Sequence, residues 1–198
     1  MSLHQPDNRL YLGMGGSGKT WLALRHADAF DRVVYVRPED RERAPYPETR
    51  DRIALCRAMQ QPRFAVTFTT DANPELWEWA NRAAMARGDC LVIWEEASSL
   101  GDGKPRLPTH AHALWMRGRH ARCRVFACSQ RPSRISRDCT ANLSRAVIFA
   151  TTEPNDLKFY RDMIGDRAAI ERIRSLARYE AVDFNPLGGW TVKKSPFD

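Results

Sequence analysis

The sequence has few lysines and no closely paired cysteines. Its 31 basic residues comprise five lysines and 26 arginines, and the net charge is +7. This charge favours an anionic partner, nucleic acid first, although an arginine excess also occurs in proteins from GC-rich genomes. The five cysteines, at positions 56, 90, 123, 128 and 139, contain no C-x-x-C pair. They indicate buried free thiols in a reducing compartment rather than disulfides or a zinc site.

Long apolar segments are also missing. No stretch approaches the roughly 20 residues of a membrane-spanning helix, and residues 1–13 lack the apolar centre of a signal peptide. We therefore expect a soluble, intracellular protein. With 198 residues, 43% of them hydrophobic, and no internal repeat, the chain predicts a single domain over 1–198. Its core would span about 9–150, and an extension would span about 151–198.

Short apolar runs alternate with helical patterns along the chain. The predicted strands are 9–13, 32–37, 63–68, 90–95, 123–129 and 145–150, and the predicted helices are 18–30, 48–60, 74–87, 109–120 and 154–164. Apolar runs separated by helices are typical of strands covered on both faces, so we predict an α/β fold with a mostly parallel sheet. A helix near 166–177 and a β-hairpin should follow.

Residues 13–20, GMGGSGKT, match the pattern G-x-x-x-x-G-K-[ST] between a predicted strand and a predicted helix. In such a loop the backbone N–H groups surround phosphate oxygens, here those of Gly13, Gly15, Gly16, Ser17 and Gly18. Lys19 would reach the β- and γ-phosphates, and the Thr20 hydroxyl would bind Mg²⁺. The alternative is a glycine-rich turn with an incidental lysine.

Two carboxylates end the apolar run 90–95 in the sequence CLVIWEEAS. Buried strands do not end on charges without a compensating role. Beside a phosphate-binding loop, Glu95 would hold Mg²⁺ through water, and Glu96 would act as general base toward the attacking water. The alternative is a pair of exposed acids at the start of a loop.

The strand 123–129 stops at Gln130, within the sequence RVFACSQRPS. In a parallel sheet this strand would lie between the strand of the phosphate-binding loop and the acidic strand, with its carboxyl end toward the γ-phosphate. An amide both donates and accepts hydrogen bonds, so Gln130 could orient the attacking water and respond to loss of the γ-phosphate. The alternative, a glutamine that only ends a strand, stays open.

The motifs GMGGSGKT, LVIWEEAS and GRHARCRVFACSQRPS together resemble the FtsK–HerA superfamily of P-loop motors, especially the genome-packaging ATPases of tailless, internal-membrane phages. The resemblance covers about 9–150 and implies a RecA-like (ASCE) P-loop NTPase fold. It assigns the sensor role to Gln130. It also implies an arginine that a neighbouring subunit supplies to the γ-phosphate, and Arg119 matches that position best, with Arg117 second. One departure is Glu95, because many P-loop enzymes have Asp there.

The resemblance further implies an ATP- and Mg²⁺-dependent motor that packages a viral genome. Its partners would be double-stranded DNA of any sequence, further copies of itself in a homo-oligomeric ring, expected to be a hexamer, and capsid or membrane-vertex proteins. It would act in the host cytoplasm, with the virion, or in both places. The predicted DNA contacts are basic residues in two loops, Lys104 and Arg106 in one and Arg131 and Arg134 in the other. Two alternatives remain: a Zot-like assembly ATPase acting on a protein-coated filament, and a small-molecule kinase.

Overall fold

The computed structural model describes residues 7–39, 43–100 and 106–194. Its strands are β1 (Asn8–Leu12), β2 (Arg32–Arg37), β3 (Glu48–Thr49), β4 (Phe64–Thr69), β5 (Leu91–Trp94), β6 (Arg124–Ser129), β7 (Leu143–Phe149), β8 (Ala181–Asn185) and β9 (Gly189–Lys193). Its α-helices are α1 (Lys19–Ala27), α2 (Arg52–Met59), α3 (Pro74–Arg87), α4 (Thr109–Arg117), α5 (Pro154–Ile164) and α6 (Arg167–Ser175). None of the described helices is long and apolar enough to cross a bilayer.

The strands of this part of the chain form one nine-stranded sheet in the order β3-β4-β2-β5-β6-β1-β7-β8-β9. The first seven strands in that order are parallel, and the hairpin β8–β9 adds two antiparallel strands beside β7. The predicted mostly parallel sheet with a C-terminal helix and hairpin is confirmed. As predicted, β6 lies between β5 and β1. We call the edge where these strands end the carboxyl edge, and the opposite edge the amino edge.

Helices cover both faces of the central strands, which explains their continuous apolar sequences. On one face, α1 packs against side chains that include Tyr11, Tyr35 and Phe126. On the other face, α3 and α4 cover Trp94, and Trp115 stacks on it with ring centroids 5.7 Å apart. The cysteines are free thiols as predicted; four are buried, and only Cys56 of the five is exposed.

The predicted helix 48–60 is wrong at its start. Glu48 and Thr49 form the edge strand β3, and α2 begins at Arg52. The carboxylate of Glu48 accepts hydrogen bonds from the buried guanidinium of Arg37 at 3.0 Å and from the hydroxyl of Thr69 at 2.5 Å. These contacts hold the segment against β4. Asp51 then caps α2, its carboxylate accepting the N–H of residue 54 at 2.7 Å.

The predicted helix 109–120 also ends early. The α-helix stops at Arg117, and Gly118–Ala121 form a 3₁₀ turn. The carbonyl of Gly118 accepts the N–H of Cys123 at 2.9 Å, and Arg122 has a positive φ of 58°. The chain therefore reverses within four residues to enter β6 at the amino edge.

Asn81 provides a test of the core. It is fully buried, donates to the Trp77 carbonyl at 2.9 Å and accepts the Trp94 indole N–H at 2.9 Å. Asn81→Ala would leave that N–H without its acceptor, so we expect the free energy of unfolding to fall by about 1–3 kcal/mol. Urea denaturation measures the loss. The control Asn155→Ala, at an exposed site, should change stability by about 0.5 kcal/mol or less; equal effects would refute this account.

Candidate nucleotide-binding site

The loop 13–18 leaves β1 at the carboxyl edge, and its glycines are required by its path. A Cβ on Gly13 would lie 2.7 Å from the Cβ of Phe149 in β7, so the backbone can pass only without a side chain. Gly16 and Gly18 have φ values of 72° and 94°, which favour glycine. No side chain caps the start of α1, and its first turn contains no acid. Its N-terminal N–H groups and dipole therefore suit an anion.

Two polar side chains of this loop are buried. Lys19 is 5% exposed, and its Nζ donates to the Met14 carbonyl at 3.3 Å, so the ammonium bends back across the loop. The Ser17 hydroxyl is buried and has no hydrogen-bond partner among the described residues. An unsatisfied buried hydroxyl costs about 1–3 kcal/mol. A phosphate oxygen in the loop would accept from both groups, so the residues present fit a polyphosphate.

The phosphate-binding loop and the two glutamates after β5 both approach Cys128 in β6. Burial raises the pKa of the Cys128 thiol, whereas the positive charge of Lys19 lowers it. The charges of Glu95 and Glu96 raise it further, while a hydrogen bond with Thr20 lowers it. Burial dominates, so the thiol stays neutral at physiological pH. Side chains from three segments of the chain thus surround one point at the carboxyl edge.

Glu95 directly follows β5. Its N–H donates to the Val36 carbonyl at 3.0 Å, which extends the pairing with β2. Burial raises the pKa of Tyr35, and the charge of Glu95 and a hydrogen bond to it raise that pKa further. The Tyr35 hydroxyl therefore keeps its proton and donates to the carboxylate. Tyr35 was not among the site residues predicted from the sequence. The sequence offered only a tyrosine hydroxyl near the end of the buried strand β2 as an indication of this role.

Glu96 is held at the end of β6. Its Oε1 accepts from the Ser129 hydroxyl at 2.9 Å and from the Ser98 hydroxyl at 2.5 Å. The backbone N–H of Gln130 lies 3.2 Å from Oε2 and 3.3 Å from Oε1. Neither serine was predicted from the sequence. The contact of Ser129 depends on the pairing of β5 with β6, whereas Ser98 offered only a hydroxyl two residues after Glu96. Glu96 is thus a fixed carboxylate beside the phosphate-binding loop, as a general base requires.

Gln130 lies over the phosphate-binding loop. A Cβ on Gly15 would be 3.4 Å from the Gln130 amide oxygen, and the neighbouring Ser129 carbonyl accepts the Gly13 N–H at 3.2 Å. Gln130 therefore lies at the carboxyl edge beside the loop, and its predicted position toward a γ-phosphate stays a prediction. Its role as sensor stays a prediction.

Arg119 lies far from this site. It is exposed in the 3₁₀ turn before β6, where the carbonyl of Ala121 accepts the N–H of Asp89 at 2.7 Å. Arg117, the second choice, is exposed at the end of α4. Because the six residues of β6 rise by about 3.3 Å each, about 20 Å separates this turn from the carboxyl edge. Arg119 therefore cannot serve the site of its own chain.

The two predicted DNA-binding loops adjoin each other. Lys104 lies outside the described residues, but Arg106 is exposed, and the N–H of the next residue, Leu107, donates to Asp138 at 2.8 Å. This hydrogen bond joins the end of the first loop, residues 99–108, to the turn Arg137–Cys139 at the end of the second loop, residues 131–137. The second loop begins at the carboxyl edge after β6 and exposes two predicted contacts, Arg131 and Arg134.

No protein-family model and no curated protein matches the chain. Among solved structures, it is similar to the genome packaging NTPase B204 from Sulfolobus turreted icosahedral virus 2 in complex with ATP-gammaS. The TM-score is 0.81 at 17% identity, covering 98% of this chain and 99% of that one. B204 described as the DNA-packaging ATPase from Sulfolobus turreted icosahedral virus gives 0.75 at 17% identity, covering 97% and 98%.

A third similar structure is VirB4 of Thermoanaerobacter pseudethanolicus, with a TM-score of 0.67 at 11% identity, covering 98% of this chain and 91% of that one. At such identities the likeness concerns the fold. The similarity extends over nearly the full length of each chain, including the C-terminal hairpin. The chain therefore has the P-loop NTPase fold that the viral packaging NTPase B204 has.

Proposed function

We propose that the protein is an ATPase that translocates double-stranded DNA and packages a viral genome. The observation that supports this most is the convergence of a phosphate-binding loop, a fixed carboxylate and a strand-end amide at one edge of the sheet. Lys19 extends the loop, Glu96 is the fixed carboxylate, and Gln130 provides the amide. The similarity to B204, itself a packaging NTPase, agrees with this function.

In the proposed ATP complex, the loop 13–18 and Lys19 hold the β- and γ-phosphates. Thr20 and Glu95 would hold Mg²⁺, which supplies charge neutralisation on the phosphates when bound. The hydrogen bond from Tyr35 fixes the Glu95 carboxylate for this purpose. Glutamate has a longer side chain than the commoner aspartate, so the metal coordination would differ in detail from that of enzymes with aspartate at this position.

Hydrolysis requires a base and an oriented water. Glu96 accepts a proton from the water as the water oxygen attacks the γ-phosphorus and the bond from that phosphorus to the β,γ-bridging oxygen breaks, which releases ADP and phosphate. The Gln130 amide holds that water in line. Arg119 then acts on the γ-phosphate of a neighbouring subunit, because its own site is on the other edge of the sheet. This division of labour needs a closed ring, for which we propose a hexamer.

DNA would contact the exposed side chains of Arg106, Arg131 and Arg134. Lys104, which lies outside the described residues, is a further predicted contact. These residues would bind phosphates without reading bases. The second loop starts one residue after Gln130, so movement at the γ-phosphate reaches it directly. Capsid or membrane-vertex proteins would hold the ring at the site of packaging.

The proposal is tested by DNA-dependent ATP hydrolysis and binding. We expect double-stranded DNA of any sequence to stimulate the ATPase rate. Arg131→Ala/Arg134→Ala should make the slope of log K against log salt less negative by about two. A matched pair of exposed arginines elsewhere, replaced in Arg57→Ala/Arg174→Ala, should leave the slope unchanged. Absence of any DNA response at low salt would count against a DNA motor and favour the alternative of a protein-filament cargo.

A further inference from the structure

The two carboxylate oxygens of Glu96 receive unequal numbers of hydrogen bonds. Oε1 accepts from the hydroxyls of Ser98 and Ser129 at 2.5 and 2.9 Å and from the N–H of Gln130 at 3.3 Å. From the described residues, Oε2 accepts only that N–H, at 3.2 Å. Each oxygen has about two lone pairs. Oε1 is therefore fully engaged, and Oε2 retains room for one further donor.

Ser129 connects Glu96 to two other parts of the site. It is the last residue of β6 and is fully buried. Its hydroxyl, while donating to Glu96, accepts the N–H of Arg131 at 3.1 Å, and its carbonyl accepts the N–H of Gly13 at 3.2 Å. One rigid residue thus contacts the carboxylate, the start of the phosphate-binding loop and the start of a basic loop.

Ser98 donates to the same oxygen of Glu96. It lies in the 3₁₀ turn Ala97–Leu100, which follows Glu96 directly. The turn is closed by Ser99, whose hydroxyl and N–H donate to the Glu96 backbone carbonyl at 2.7 and 3.1 Å. Ser98 and Ser99 are therefore neighbouring serines with different targets: the first binds the carboxylate, and the second binds the main chain.

We infer that Ser129 and Ser98 are positioning residues that fix Oε1 of Glu96, so that Oε2 faces the attacking water. The inference rests on the proposed role of Glu96 as general base. Neither serine touches the reacting atoms; they prevent rotation of the carboxylate. Displacement of a reacting group by about 1 Å can cost about 10²-fold in rate, so two hydroxyls at hydrogen-bonding distance are enough to matter.

The test compares steady-state ATP hydrolysis by three serine variants. Ser129→Ala and Ser98→Ala should each lower kcat on the order of 10-fold to 100-fold, while the KM for ATP and the affinity for a non-hydrolysable analogue stay close to the wild-type values. Ser99→Ala is the matched control and should keep the wild-type kcat. Ser98 is only half-buried, so its variant tests the inference even if the buried Ser129→Ala destabilises the chain.

A second comparison separates positioning from a general structural effect. In a Glu96→Gln background, single-turnover rates should show no further loss from Ser129→Ala, because the carboxylate that it positions is gone. Equal losses in both backgrounds would overturn the inference, as would wild-type kcat in both Ser129→Ala and Ser98→Ala while Glu96→Gln is inactive. Full turnover by Glu96→Gln, or none by the wild type, would instead overturn the proposed chemistry and this inference together.

Discussion

Lys19→Ala should abolish ATP binding, whereas Glu96→Gln should bind ATP normally and fail to turn it over. Lys19 is buried within the loop and bends toward the place of the phosphates. Without it, a polyphosphate would lie in a site from which its main cation is missing. Glu96 is held beside Ser129, the last residue of β6, and in the proposed ATP complex it would act on the water rather than hold the phosphates. Glutamine keeps its shape but cannot accept the proton of the water.

Nucleotide affinity and single-turnover hydrolysis measure the two effects separately. We expect the Glu96→Gln rate to fall on the order of 10²- to 10⁴-fold, the usual contribution of a general base, with affinity within about twofold of the wild type. Lys158→Ala, at an exposed lysine of α5, is the matched control for loss of a positive charge. The assignment of Glu96 fails if both variants lose binding to the same extent.

Most of the fold could be predicted because its signals are local. Each central strand is a continuous apolar run, since helices cover both faces of the sheet. The phosphate-binding loop was recognisable because glycine spacing reflects its backbone: Gly16 and Gly18 have positive φ. The location of Gln130 followed from one topological rule, that ligands bind beyond the carboxyl ends of parallel strands.

What the sequence could not supply depends on contacts between distant residues. Ser129 and Glu96 are 33 positions apart, and only the pairing of β5 with β6 brings them together. The short strand β3 likewise depends on the ion pair between Glu48 and the buried Arg37 of another strand. The prediction extended α2 over this segment, although Asp51, which caps α2, is a local signal for a start at Arg52.

The relative placement of the two basic loops also depends on a contact between residues that are distant in the sequence. From the sequence, both loops are expected on the catalytic side of the sheet, and Arg106 and Arg131 are alternatives for facing the DNA. The hydrogen bond between Leu107 and Asp138 joins the end of the first loop to the turn that follows the second. The separate contributions of Arg106 and Arg131 to DNA binding are then a question for single substitutions.

The position of Arg119 determines which active site this arginine can reach. The turn Gly118–Ala121 lies at the amino edge, about 20 Å from the phosphate-binding loop of the same chain. An arginine finger at this position can therefore complete only the site of a neighbouring subunit. Arg119→Ala should lower ATP hydrolysis by on the order of 10³-fold or more, without changing the intrinsic affinity of the loop for nucleotide.

Mixing two inactive variants tests this directly. In rings of Arg119→Ala and Glu96→Gln subunits, some sites combine an intact Glu96 from one subunit with an intact Arg119 from its neighbour. These sites should hydrolyse ATP, so the mixture should recover part of the wild-type rate. The matched control mixes Lys19→Ala with Glu96→Gln. Both residues belong to the same subunit's site, so no site is intact and no activity should return.

Exchange of subunits between rings must first be shown with labelled chains, because rings that do not exchange subunits cannot form the combined sites. With exchange established, recovery only in the Arg119 mixture would place that arginine across a subunit interface. Absence of rescue in both mixtures would count against an Arg119 that acts on a neighbouring subunit. Arg117 and Arg122, exposed beside the same turn, would then be mixed in the same way. If all three failed to rescue, the shared site would have no arginine from this edge, and the ring mechanism proposed for ATP hydrolysis would fall with it.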